Sequence, residues 1–182
     1  MIKRFFGKKK DAEEEIRIPT LETMIVGDLV DYDLKTWQVS GYNTYDYDGD
    51  KTREWELKVL DEVYCLETGQ DQGETWWTFT RSVGYGAIVP DPREALRQEQ
   101  DPPETVSYDG GTYYAVESTT GLLFAGGEDG DGAEFICWTY EGADGALLVL
   151  AQWGENEFTA HHGSYVESYQ FIDVLPGGQA EG

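Results

Sequence analysis

Histidine and cysteine are scarce in this sequence. Two of each, His161, His162, Cys65 and Cys137, stand among 182 residues. The histidines are neighbours, and adjacent residues of a regular strand point to opposite faces, so they cannot chelate one metal together. Neither cysteine has a second Cys or a His at metal spacing. No metal site and no cofactor are expected. No Ser-His or Cys-His nucleophile pair is evident unless one of the two histidines serves. Each cysteine lies in an apolar or aromatic run, Val63-Tyr-Cys-Leu66 and Phe135-Ile-Cys-Trp138. Buried free thiols in a reducing compartment are expected, with a disulfide left open if the two positions become neighbours.

Basic residues are also few. Thirteen Lys and Arg face 36 Asp and Glu, a net charge of −23. The imbalance is uneven. Residues 1–10 hold Lys3, Arg4, Lys8, Lys9 and Lys10 and no acid, so the remaining 172 residues set 36 acids against eight bases. Such a body repels phosphate backbones, which argues against nucleic-acid binding. It attracts cations, polyamines or basic protein surfaces. No apolar run approaches the roughly 18 residues of a membrane span. The basic start lacks the apolar core of a secretory signal. A cytoplasmic protein is expected, peripheral to the inner membrane if its N-terminal stub touches lipid.

Aromatic residues are plentiful, at 14% with six Trp and twelve Tyr. Val30-Asp-Tyr-Asp-Leu-Lys-Thr-Trp-Gln-Val39 returns 76 positions later as Val106-Ser-Tyr-Asp-Gly-Gly-Thr-Tyr-Tyr-Ala115. Both read as a short strand, a tight turn and a longer strand. Glu54-Trp-Glu-Leu-Lys-Val59 alternates strictly, the pattern of a half-buried antiparallel strand, and places Glu54 and Glu56 on the solvent face. The acidic loop and Glu54-Trp55 find an echo in the loop after Gly126 and Glu134-Phe135. Glu67-Thr-Gly-Gln-Asp-Gln-Gly73 reads as a polar loop. Asp91-Pro92 starts the one clear helical signal, and Pro102-Pro103 forbid its continuation.

Short strands with turn signals every 8–12 residues predict an all-β protein. The expected organisation is a basic then acidic flexible tail over 1–18, a first β half over 19–90, a short helix and linker over 91–103, a second β half over 104–175, and a loose tail over 176–182. A half of about 70 residues buries a marginal core alone. Two related antiparallel halves, as a small barrel, roll or sandwich, are therefore expected to form one cooperative unit.

Leu21-Glu-Thr-Met-Ile-Val-Gly-Asp-Leu-Val30, Glu54-Trp55-Glu56-Leu57, Leu150-Ala-Gln-Trp-Gly-Glu-Asn-Glu-Phe158 and His162-Gly-Ser-Tyr-Val166 stand in this order. Together they resemble the bacterial family called domain of unknown function 4178, over about residues 20–175. Tyr64-Cys-Leu-Glu67 departs from that family's usual Trp-Leu-x-Glu. The family has no established reaction. Its members occur beside membrane-stress proteins and polyamine-synthesis enzymes. The resemblance implies an accessory role near a membrane or in a polyamine context.

Candidate contact residues divide into two sets. Ile2, Phe5 and Phe6 share one helical face among Lys3, Arg4, Lys8, Lys9 and Lys10, the pattern of a short membrane or partner contact. Trp76, Trp77, Trp153, Glu155, His161 and His162 form the second set, a ligand or partner surface in parts that the two halves do not share. Asp46, Asp48 and Asp50 fail the calcium-loop pattern, with Lys51 and Leu57 where Gly and Glu are needed. No catalytic residue is assigned, and an enzyme is not expected. The leading expectation is an accessory or scaffold protein that binds partner proteins. The alternative is a binding module for a polyamine or other small cation, with an acidic, aromatic-lined site. An undetected hydrolase is the third.

Overall fold

The computed structural model describes residues 17–98, 100–127 and 130–177. The fold is nearly all-β, and among the described residues eleven antiparallel strands form one sheet. They are β1 (Leu29–Tyr32), β2 (Lys35–Tyr47), β3 (Asp50–Val59), β4 (Glu62–Asp71), β5 (Glu74–Val83), β6 (Thr105–Tyr108), β7 (Gly111–Ala125), β8 (Ala133–Glu141), β9 (Ala146–Gly154), β10 (Glu157–Tyr165) and β11 (Ile172–Leu175). Helix α1 (Pro92–Leu96) is short, and the Asp91 side chain accepts from the Arg93 N–H at its start. The spatial order is β11-β1-β2-β3-β4-β5-β10-β9-β8-β7-β6, and β2 also pairs with β7. That last pairing closes eight strands into a ring, which removes most of the open sheet edge.

The two sequence echoes fold in one register. Val30 pairs with Trp37 across the first hairpin, and Val106 with Tyr113 across the second. Asp33 and Leu34 turn the first hairpin with positive φ, and Asp109 and Gly110 turn the second. A β-bulge follows, between Val39 and Gly41 in β2 and between Ala115 and Glu117 in β7. Each bulge bends a long strand, so its first part leaves the ring while its second part stays in it. Asp46 and Leu122, which share the spacing of the repeat, pair with each other at the β2–β7 seam. Arg81 and His162 pair at the β5–β10 seam. A pseudo-twofold axis therefore passes through both seams.

Each half packs a core on the outer face of the ring. The first holds Val30, Trp37, Val39, Trp55, Leu57, Leu66, Trp77, Phe79 and Phe171. The second holds Ile88, Leu96, Val106, Tyr113, Trp138, Tyr140, Leu148 and Leu150, among others. β11 returns from the second half to pair with β1. Asp28, 1% exposed, ties the chain ends to this corner. It accepts from Arg17, from the Ile25 N–H and from the Gly177 N–H. Burial opposes its charge, but these donors outweigh burial and hold its pKa below the usual carboxylate range. Asp28→Ala is expected to lower stability by about 1–3 kcal/mol, because it removes the acceptor that the Ile25 and Gly177 amides share. A urea titration at neutral pH measures this. The sign follows from a depressed carboxylate pKa: the contribution is present above the unfolded value and is lost as pH falls through the folded one.

Candidate functional site

The inner face of the ring differs from both cores. In β3, Thr52 and Glu54 alternate with Trp55 and Leu57, which belong to the outer core. Glu54 is only 7% exposed. The expectation that it faces solvent is thus corrected. A strand of a closed ring packs on both faces, so alternation separates two interiors rather than an interior from water. The polar loop expected from Glu67 is also corrected: β4 runs on to Asp71, and Glu67 lies inside the ring with Glu54 paired directly opposite it.

Two carboxylates face each other here. Like charges directly opposite across strands are destabilising, and burial adds to the effect. Asn43 Nδ2 donates to Glu54 Oε1 at 2.8 Å, and the Tyr45 hydroxyl donates to Oε2 at 3.2 Å. Thr52 and Tyr47 hydroxyls both donate to Glu67 Oε1, at 2.6 and 3.3 Å. Burial first and the Glu54 charge second push Glu67 up to about 7, against these two donors. Burial and Glu54 also raise Cys65, while burial and Glu67 push Cys137 up to about 12. Both thiols are free, and as thiols rather than thiolates they are poor nucleophiles. Burial lowers His161, with the Glu54 charge acting the other way.

Aromatic rings surround this polar row. Tyr45 and Tyr47 stack at 5.8 Å, and each meets Phe135 edge-on. Trp153 lies 4.8 Å from Phe135, and its Nε1–H donates to Thr159. Trp76 packs over Gly69, where a Cβ would come within 2.6 Å of the indole and 2.8 Å of Thr52. Trp153 and Phe135 also line an open groove of about 870 Å³ with Asp46, Asp48, Glu134 and Gln152. Asp46 Oδ1 accepts from Gly49 N–H, which fits a turn residue.

The pseudo-twofold axis supplies an internal comparison. Registers place Asn43, Glu54, Glu67 and Thr78 in one row across β2 to β5. The equivalent row across β7 to β10 is Thr119, Cys137, Ala151 and Thr159. One fold position thus carries Glu54 in one half and Cys137 in the other, and the next carries Glu67 and Ala151. The echo read as Glu54-Trp55 with Glu134-Phe135 is corrected by this register, which matches Trp55 with Trp138. The sequence spacing misled because the acidic loops differ in length.

A family model matches residues 25–168, most of the chain. The chain belongs to the family described as domain of unknown function (DUF4178). This DUF4178 chain is similar to an uncharacterized protein of Aquifex aeolicus (strain VF5), at 28% identity over 180 residues, covering 96% of each. No solved structure matches it.

The residues singled out from the DUF4178 sequence scatter. Trp76, Trp153 and His161 sit on three strands of the ring and are not brought into contact: Trp76 packs over Gly69, Trp153 against Phe135, and His161 pairs with Ser82, six residues along β5 from Trp76. Trp77 is 5% exposed in the first outer core. His162 faces outward, where its Nε2 lies 2.8 Å from the Tyr113 hydroxyl and its ring 4.8 Å from Tyr108. Glu155 is exposed in the β9–β10 turn. Ile2, Lys3, Arg4, Phe5, Phe6, Lys8, Lys9 and Lys10 lie outside the described residues. Sequence reasoning missed Glu54, Glu67, Tyr45, Tyr47 and Asn43 as one group, because only the pairing register unites them. Among the described residues, no helix is long and apolar enough to cross a membrane.

Proposed function

We propose that this protein is a binding module for a small organic cation, an alkylammonium of the polyamine type, held against Glu54 and Glu67. One observation carries the reading: the inner row is Glu54-Glu67 in one half and Cys137-Ala151 in the other, on the same backbone. The fold therefore accommodates uncharged residues at these positions. Paired acids weaken it, and proteins retain such features mainly at functional sites. A positive ligand removes the repulsion. Tyr45 and Tyr47 meet the carboxylates through their hydroxyls, and the nearby indoles of Trp76 and Trp153 supply the ring surface that favours a diffuse organic cation. A metal ion is a poorer fit, since among the described residues no three His, Cys, Asp or Glu side chains cluster to hold one.

Calorimetry with spermidine, a monoamine and a dicarboxylate control tests this at pH 8 and moderate salt. The expected result is saturable heat for the amines, with about one site, that survives salt. Diffuse heat erased by salt, equal for any cation, contradicts it. Because Glu67 keeps its proton to about pH 7, only about a tenth of it is ionised at pH 6. Affinity is expected to fall up to about tenfold from pH 8 to pH 6, as checked by repeating the titration.

A further inference from the structure

We infer that the groove over the β2–β7 seam is the docking surface for this chain's own N-terminal segment, residues 2–10. The groove joins apolar side chains, Leu122, Ile136 and Trp153, to the acids Asp46, Asp48 and Glu134. The segment has the complementary composition: Ile2, Phe5 and Phe6 among five bases and no acid. Ile136 is 41% exposed, so the groove offers apolar surface that the described residues leave uncovered.

Reach permits the contact. The sixteen residues before Arg17 span at most about 55 Å when extended, against a radius of gyration of about 15 Å for a body of this length. Charge selects it over an anionic bilayer. The body that follows the stub sets 36 acids against eight bases, so its field repels anionic lipid while drawing the stub inward. Tethering raises the effective concentration of the stub to about the millimolar range, and a weak contact then suffices. The second groove, lined by Glu22, Met24, Ile25, Val26, Tyr42, Trp55 and Gly126, offers one acid rather than three. This inference does not depend on a ligand inside the ring.

The test uses the full chain with a nitroxide on the Lys3→Cys thiol. Cys65 and Cys137 keep raised pKa values and react slowly. In about 50 mM salt, the signals of Leu122, Ile136 and Trp153 are expected to broaden severalfold, and to recover at about 0.5 M as screening grows. Asp48→Asn with Glu134→Lys is expected to abolish the broadening while stability stays within about 0.5 kcal/mol. Broadening around Ile25 and Val26 instead, or nowhere, overturns the inference. So does broadening that grows with protein concentration, which indicates a second copy. Loss of the broadening on adding phosphatidylglycerol vesicles at constant salt overturns it in favour of a membrane.

Discussion

Glu67→Gln is expected to stabilise the protein at pH 8 by roughly 3 kcal/mol and to change little at pH 4. The carboxyl holds its proton to about pH 7 in the fold, against an ordinary value of 4.5. Between those values the folded state binds more protons than the unfolded one, so stability falls as pH rises. Above about pH 7 both states are ionised, and the full penalty of a buried charge beside Glu54 is present. Glutamine removes that charge and keeps the carbonyl oxygen that accepts from Thr52 and Tyr47. Urea unfolding of both proteins at pH 4, 6 and 8 measures the effect. Parallel stability curves across this range would count against a buried, proton-holding Glu67.

Gly163→Ala is expected to have the opposite sign and a larger size, a loss of more than about 4 kcal/mol. Gly163 pairs with Thr80 on one side and Leu147 on the other. A Cβ there would lie 2.0 Å from the Phe79 carbonyl oxygen and 2.7 Å from Thr80 Cα. Those are backbone atoms of the neighbouring strand, and no rotamer change relieves the overlap. The β5–β10 seam must part, and the ring with it. An unfolding free energy within about 1 kcal/mol of the parent's, from denaturant titration, would mean that this seam is not closed as described.

The sequence made the architecture legible because β signals are local. Val30–Val39 and its echo form matching hairpins, the Asp-Gly turn after Tyr47 is where β2 meets β3, and Asp91-Pro92 starts the short helix α1. The site was not legible, because ring closure is a long-range fact. Pairing of β2 with β7 turns the polar side of β3 from an apparent solvent face into an interior. Glu54 and Glu67 then meet across strands, although each looked like an ordinary surface acid in its own stretch. Trp76 and Trp77 were separable by alternation, but which of them faced the ring depended on which side the first core occupied. The expectation that function lies where the halves differ named Trp76, Trp77, Trp153, Glu155, His161 and His162, and a further difference between the halves, Glu67 against Ala151, emerged only when the registers were aligned.

Because Glu67→Gln is expected to be the more stable protein at pH 8, a loss of binding in it cannot arise from unfolding. Calorimetric titration of spermidine into Glu67→Gln and its parent, side by side at pH 8 in moderate salt, therefore tests the central claim most directly. The expected result is saturable binding by the parent and an affinity at least about tenfold weaker in the variant, equivalent to about 1.4 kcal/mol. Equal affinity in the two proteins would contradict a cation site built on the Glu54–Glu67 pair.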